Sequence, residues 1–402
     1  MSSALSHLEC GRCGTRYDAD VPQNLCTCGR PLLARYDLGR VTVTPAEVAA
    51  RPPDLWRYRE LLPVRDPGNV VTLGEGMTPL VPVPRFGVRA GVLDLLVKDE
   101  ALLPTGSFKA RGAAVGVSRA HELGITRITM PTNGNAGAAW ATYAARAGME
   151  ALVVAPALAP AFTRAEAVLA GARVHVVDGL IADAGRLAAQ AVERGWFSTA
   201  TLREPYRVEG KKTMGIEIAE QLGWRLPDVI VYPTGGGVGL IGIRKALDEL
   251  RELGWISGPL PRLVAVQATG CAPIVRAFES GAETADPWPA DQARTAAFGI
   301  NVAGTLGDFL VLDAVRDSGG TAVAVPDDEI MAAQAECAAS DGMLMCPEGA
   351  ATLAAVRRLR SGGWLSGDER VVVLNTGAAA NYADTLPMPP PALLSPDAVL
   401  PG

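Results

Sequence analysis

The amino-acid sequence predicts an α/β fold with parallel sheet at its centre, and three observations carry that expectation. From about residue 93, short apolar segments of strand length alternate with Ala-rich segments of helical period, the pattern of repeated βα units. Turns rich in glycine or asparagine, at 132–137 and 234–239, fall directly between a strand and the helix after it. With 402 residues and 49% apolar content, the chain can bury a large core and form two or three domains.

Taken in order, the elements begin with cysteines. Four of the seven lie in the first thirty residues, as Cys10-Gly-Arg-Cys13 and Cys26-Thr-Cys28. Two close pairs about a dozen residues apart read as a zinc knuckle, four thiolates around a tetrahedral ion. Four ligands leave no open position, so the metal would be structural. Gly11 and Gly29 supply tight turns beside the sulfurs. The second pair has one intervening residue where two are commoner, which loosens the geometry; a knuckle without metal, or redox-active thiols, is the competing reading. Cys271, Cys337 and Cys346 stand alone and read as small buried residues. A linker from Tyr36-Asp37 leads into a stretch carrying Pro52, Pro53, Pro63 and Pro67.

Strands are then expected at 93–97, 127–130, 151–154 and 173–177, with helices at 109–123, 135–147, 161–169 and 181–194. A second series follows: helix 209–221, strand 229–232, helix 240–253, strand 263–266. Helices near 327–340 and 347–359 and a strand at 371–374 close the pattern, and the Pro-rich tail after Leu386 reads as irregular.

Composition excludes several classes of function. A balance of 37 basic against 43 acidic residues, net −6, argues against nucleic acid as the main partner. No apolar run reaches the roughly eighteen residues of a membrane span, and no secretion signal is visible, so a cytoplasmic location is the default expectation. In that compartment disulfides are disfavoured. The only histidines are His7, His121 and His175, none in a catalytic-looking context. Ser-His-Asp, Cys-His and histidine-rich catalytic metal chemistry are therefore poor candidates.

Four segments carry chemistry. Pro104-Thr105-Gly106-Ser107-Phe108-Lys109 sets a lysine amine after a Gly-Ser turn, beside an aromatic ring, at the start of a helix. Such an amine can hold an aldehyde cofactor as a Schiff base, the attachment expected for pyridoxal phosphate. Thr234-Gly235-Gly236-Gly237-Val238-Gly239 follows a strand and can bring backbone amides and a helix N-terminus to a phosphate, although alone it could be a tight βα connection. Asn135, in Thr132-Asn133-Gly134-Asn135-Ala136-Gly137, is placed to cap a helix and to point an amide at a ligand over the sheet end. In Asn375-Thr376-Gly377, a neutral hydroxyl could face a pyridine nitrogen, or the segment could be only a turn.

Together with Gly74-Glu75-Gly76-Met77-Thr78-Pro79-Leu80, Lys98-Asp99-Glu100, Glu209-Gly210-Lys211-Lys212-Thr213 and Pro347-Glu348-Gly349-Ala350, these motifs resemble the threonine synthase branch of the fold-type II pyridoxal-phosphate family. The resemblance runs from the knuckle to about residue 382, and such a knuckle is itself a feature of many synthases of the branch. It implies two three-layer αβα domains with parallel sheets plus the small N-terminal knuckle. The expected division is 1–38 for the knuckle, 39–107 with 206–388 for a large cofactor-binding domain, 108–205 for a small domain, and 389–402 for the tail. By position, Lys109 is the Schiff-base lysine, Asn135 the ring-oxygen contact, Gly235, Gly236, Gly237, Val238 and Gly239 the phosphate loop, and Thr376 the ring-nitrogen contact. Cys10, Cys13, Cys26 and Cys28 are the expected zinc ligands. Ser107, Asn133, Thr78, Lys211 and Arg111 are weaker candidates for substrate contacts. A homodimer is expected.

The implied reaction converts O-phospho-L-homoserine and water to L-threonine and phosphate through a Lys109 aldimine, with the lysine shuttling protons near Cα and Cβ. Two departures from the family pattern bear on it. An acidic residue usually follows the lysine, where this chain has Ala110-Arg111-Gly112, and a Ser-Gly-Leu-Lys type sequence usually follows Thr-Gly, where this chain has Ala378-Ala379-Ala380-Asn381. The missing lysine removes a charge that could grip the substrate phosphate, leaving Lys211, Lys212 or Arg111. The alternative is a related enzyme acting on serine, threonine or phosphoserine by β-elimination or cysteate-type β-replacement.

Overall fold

Six strands form the larger sheet, in the order Thr321–Val325, Arg262–Ala268, Val229–Pro233, Arg370–Asn375, Asp94–Asp99 and Leu80–Pro82. Every neighbouring pair is parallel except the Leu80–Pro82 edge, which runs antiparallel to Asp94–Asp99. The computed structural model describes residues 3–386, 393–396 and 398, so most of the tail expected at 389–402 lies outside the described residues.

Alternation along these strands sends side chains into two separate cores. Val229, Val231, Val371 and Val373 meet Ala350 and Leu353 of the helix Pro347–Ser361 on one face. Ile230, Tyr232, Val372 and Leu374 meet Leu240 and Ile243 of the helix Val238–Glu252 on the other. Burial on both faces explains the near-continuous apolar runs that mark these strands in the sequence.

The smaller sheet has four parallel strands, ordered Arg173–Val177, Glu150–Pro156, Arg127–Pro131 and Phe197–Ser198. Ile128 and Met130 pack with Trp140 and Tyr143 of the helix Asn135–Arg146, while Val154 packs with Ala184 and Ala188 of Ile181–Val192. At the N-terminus, Arg16–Tyr17, Leu5–Cys10 and Leu32–Tyr36 form a three-stranded antiparallel sheet. Leu5, Leu8 and Leu32 close its core against Trp56, Leu62, Val115 and Tyr206. Among the described residues, no helix is long and apolar enough to cross a membrane.

The helices Lys109–Glu122 and Arg207–Gln221 approach so closely that a Cβ on Gly210 would lie 2.0 Å from the Arg111 carbonyl oxygen. Glycine is therefore required there. The contact brings Arg111 against two carboxylates: Glu100 at 2.6 Å and Glu217 at 2.5 Å, with Lys98 at 2.7 Å from Glu217. All four side chains are fully buried. Burial alone would push the Glu217 carboxyl up, but Arg111 and Lys98 outweigh it and hold its pKa at about 2. Two cations matched to two anions make a neutral buried set. Arg111→Met leaves one lysine to offset two buried carboxylates, so unfolding in urea should show a loss of about 3–5 kcal/mol. An unchanged midpoint would mean that the set contributes nothing to stability.

Candidate active site

The carboxyl ends of strands from both parallel sheets open on one cavity of about 290 Å³, the position where α/β sheets collect ligand-binding turns. The turn after Arg127–Pro131 supplies Asn133 and Asn135, the turn after Val229–Pro233 supplies Gly235, Gly236, Gly237 and Val238, and Thr376 follows Arg370–Asn375. Lys109 enters as the first residue of its helix.

Lys109 Nζ lies 4.1 Å from the centroid of the Phe108 ring. Burial first, and the charge of Arg207 second, push its amine down to about 8. An amine so shifted has a far larger neutral fraction near physiological pH than an ordinary lysine, and the neutral form is the one a nucleophile or base needs. The turn before it is fixed by the segment after the last strand: Phe108 N donates to Thr376 O at 3.0 Å, and Ala378 N to Gly106 O at 2.7 Å.

The glycine turn forms another part of the wall. Gly237 has φ +76°, and a Cβ there would lie 2.2 Å from Val311 Cγ2, so only glycine permits this path. Helix Val238–Glu252 starts at the next residue, adding its positive end to the turn. Gly239, expected to belong to the phosphate loop, does not line the cavity. It lies inside the helix, where a Cβ would meet the Tyr232 hydroxyl at 2.0 Å; its role is close packing.

Asn135 does not cap its helix, contrary to one expectation. Thr132 Oγ1 serves the nearby amides instead, accepting from Gly134 N at 3.0 Å and Gly137 N at 2.9 Å. The Asn135 carboxamide is thereby released from local bonding and lines the cavity. Asn375 braces the strand end beneath Thr376, donating to Asp99 at 2.8 Å and accepting from Cys346 N at 3.1 Å.

Of the weaker substrate candidates, Asn133 and Lys211 line the cavity. Lys211 Nζ lies 4.0 Å from the Phe108 ring centroid and donates to the Phe108 carbonyl. Burial, then the charge of Lys109, lower its amine well below the usual lysine range. Thr78 and Arg111 are not brought to the cavity: Thr78 Oγ1 donates to Glu100 at 2.6 Å, and Arg111 is consumed by the buried charge set. Lys212 is likewise engaged, with Glu209 at 2.7 Å and Glu249 at 2.8 Å. Ser107 lies beside the cavity wall, fully buried, with its hydroxyl unpartnered.

The sequence reading missed Arg207, Trp140, Glu348 and Tyr382, which also line the cavity. Arg207 stacks 5.1 Å over Trp140 and donates to Thr201 Oγ1 at 2.9 Å and Thr199 O at 2.5 Å, so its guanidinium is held by neutral groups. Burial lowers its pKa to about 10, with Glu204 opposing. Its one sequence signal was a cation two residues before the Glu209-Gly210 motif. Glu348 accepts from Gly299 N at 2.5 Å, and burial raises its carboxyl above the usual range.

Ser107 Oγ and Arg207 Nε are buried and lack partners among the described residues. A buried amine of lowered pKa, a glycine cradle at a helix start, and unsatisfied polar atoms around one cavity suit a phosphorylated aldehyde cofactor with an amino-acid substrate.

Outside the cavity lining, the sulfurs of Cys10, Cys13, Cys26 and Cys28 all lie within 4.8 Å of one another. Cys10–Cys28 and Cys13–Cys26 are each 3.5 Å apart, near the edge of roughly 3.8 Å that a tetrahedron with metal–sulfur bonds of about 2.3 Å requires. Amides of Arg12 and Cys13 point at Cys10, and the Tyr17 hydroxyl at Cys26. The single-residue spacing is absorbed by a turn in which Gly29 takes φ +78° and its N–H bonds Cys26 O at 2.8 Å. Arg12 and Arg30 rest on the Phe309 ring, so the knuckle packs on its own chain.

Comparison with known proteins gives a consistent result. The family model for pyridoxal-phosphate dependent enzymes matches residues 71–377. A threonine synthase of Methanosarcina acetivorans is 38% identical over 92% of this chain and 91% of its own length. One of Methanocaldococcus jannaschii is 36% identical over the same shares. Among solved structures, maize serine racemase superposes with a TM-score of 0.63 over 75% of this chain and 88% of that one, at 24% identity, a likeness of fold.

Proposed function

Because this chain belongs to the pyridoxal-phosphate-dependent enzyme family, with threonine synthases as relatives over most of its length, we propose that it converts O-phospho-L-homoserine and water to L-threonine and phosphate. It is a carbon–oxygen lyase of the threonine synthase kind. The observation that carries the substrate is the pairing of two anion-binding features in the cavity that holds Lys109: the glycine turn at a helix start, and the Arg207 guanidinium. One cradle serves the cofactor phosphate and the other the phosphate of the substrate.

Gly235, Gly236 and Gly237, with the start of the helix Val238–Glu252, would hold the cofactor phosphate. Lys109 would hold its aldehyde carbon, Asn135 its ring oxygen, and Thr376 its ring nitrogen. A hydroxyl there, being neutral, leaves the nitrogen mostly unprotonated and moderates the electron demand of the ring. Bound pyridoxal phosphate supplies an electron-withdrawing ring that stabilises negative charge developing on the substrate carbons.

The remaining steps belong to the protein. Lys109 Nζ takes protons from Cα and then Cβ as phosphate leaves Cγ, and, staying within reach, returns protons to Cγ and finally to Cα as water adds its hydroxyl at Cβ. The Arg207 guanidinium, with an unused N–H, grips the substrate phosphate. Lys211 gains a proton in the presence of that anion and adds to the grip. Asn133 and the Ser107 hydroxyl are offered to the substrate carboxylate. Asn381, the departure from the family pattern, does not weigh against a phosphorylated substrate, since its amide is turned to Thr105 O and Gly106 O.

Product analysis tests this reading against elimination chemistry. Given O-phospho-L-homoserine, serine, threonine and phosphoserine in parallel, the holoenzyme is expected to turn over the first fastest. A dominant release of 2-oxo acid from serine or threonine would overturn it.

We further infer that the cysteine knuckle holds structural zinc, that the enzyme works in the cytoplasm, and that it assembles as a homodimer, the commonest symmetric state. Elemental analysis should find one zinc per chain, and Cys13→Ser should release it and lower the unfolding temperature. Absence of metal from freshly purified protein would overturn the zinc reading.

A further inference from the structure

The segment that departs most from the family pattern lies against the asparagine loop. Asn135 Oδ1 accepts from Asn381 Nδ2 at 2.9 Å, and Asn135 Nδ2 donates to the Tyr382 hydroxyl at 2.9 Å. Both partners are buried, at 4% exposure each. Asn381 Nδ2 also reaches the carbonyl oxygens of Thr105 at 3.2 Å and Gly106 at 3.3 Å, in the turn that leads to Lys109.

These bonds have a direction. A carbonyl oxygen only accepts, so Thr105 and Gly106 fix which end of the Asn381 amide is NH2. That NH2, in turn, requires an oxygen from Asn135, because the flipped amide would set two donors face to face. Asn135 Nδ2 is therefore committed to the side where Tyr382 lines the cavity, leaving its second hydrogen for a ligand. Amide orientation passes from the backbone of the lysine turn, through Asn381, to the ligand-facing group of Asn135. Where the family pattern has a lysine, the Asn381 NH2 offers a donor without the charge.

We propose that Asn381 and Tyr382 are positioning residues: they hold the Asn135 carboxamide with its NH2 turned to the cofactor ring oxygen and tie the asparagine loop to the lysine turn. The inference rests on the reading of Asn135 as the ring-oxygen contact. It assigns the divergent C-terminal segment to the cofactor site.

The test uses full-length holoenzyme carrying Asn381→Ala, Asn381→Asp, Tyr382→Phe or Asn135→Ala, and the Asn135→Ala/Asn381→Ala pair. Visible circular dichroism reports the setting of the bound cofactor, and equilibrium dialysis against pyridoxal 5′-phosphate reports affinity. Asn381→Ala is expected to weaken binding roughly three- to tenfold, the range for one buried hydrogen bond, and to reduce the visible dichroism. The paired variant should bind no more weakly than Asn135→Ala alone, since the two act as one unit. Asn381→Asp keeps the shape without the donors and repeats the measurement if the alanine variant fails to fold. Folded Asn381 variants with unaltered dichroism and affinity, or additive losses in the pair, overturn the proposal while Asn135 keeps its assignment. An Asn135→Ala enzyme indistinguishable from wild type overturns both.

Discussion

Lys109→Ala is expected to abolish threonine formation, lowering turnover by roughly a thousandfold or more, because one amine serves as both cofactor anchor and proton carrier. Reduction with borohydride should then no longer fix the cofactor to the chain. The environment of Lys109 adds a pH signature. Its amine is lowered to about 8 by burial, with Arg207 as the second cause. The neutral form therefore gains about tenfold per unit as pH rises toward 8 and saturates above it. Cofactor uptake by stripped enzyme should follow that curve. An uptake rate independent of pH between 6 and 9 would contradict the assigned environment, and a Lys109→Ala enzyme with substantial turnover would contradict the assigned role.

Arg207→Gln is the second large effect. A charge-assisted hydrogen bond to phosphate contributes about 1.5–3 kcal/mol, so kcat/KM for O-phospho-L-homoserine should fall roughly 10- to 150-fold, mainly through KM. The substitution also removes a positive charge that depresses the Lys109 amine, so the uptake curve should move to higher pH. A merely structural arginine would lower stability without moving that curve. Unchanged KM together with an unmoved curve would remove Arg207 from the site.

Much of the scaffold was legible in the sequence because its strands are buried on both faces and its helices are long. The helix Ala161–Leu169 and the strand Arg173–Val177 have the bounds expected from periodicity, and most others differ by one to three residues at an end. The helix Asp308–Asp317 and the strand Thr321–Val325 were missed, as were two short elements that periodicity does not encode. Phe197–Ser198 has two residues and exists as a strand through pairing with Ile128 and Thr129. The Leu80–Pro82 edge, three residues long, reverses the sheet's direction.

The site was legible where a turn between strand and helix had to supply glycine, asparagine or lysine. It was not legible where function depends on which face of a helix meets the cavity. Arg111 and Arg207 are both buried helical arginines, yet one neutralises carboxylates and the other lines the cavity. Nothing in their local sequence separates them, because the difference arises from the crossing of two distant helices at Gly210. Asn135 shows the complementary case: its local pattern reads as a cap, and Thr132 takes that role in three dimensions.

The central claim is a synthase that uses Lys109 on a phosphorylated amino acid, and one assay addresses it most directly. Purified holoenzyme is incubated with O-phospho-L-homoserine while free phosphate and L-threonine are quantified together, with Lys109→Ala as control. Equal amounts of the two products, absent from the control, are the predicted result. A fully loaded holoenzyme that releases neither would contradict the account.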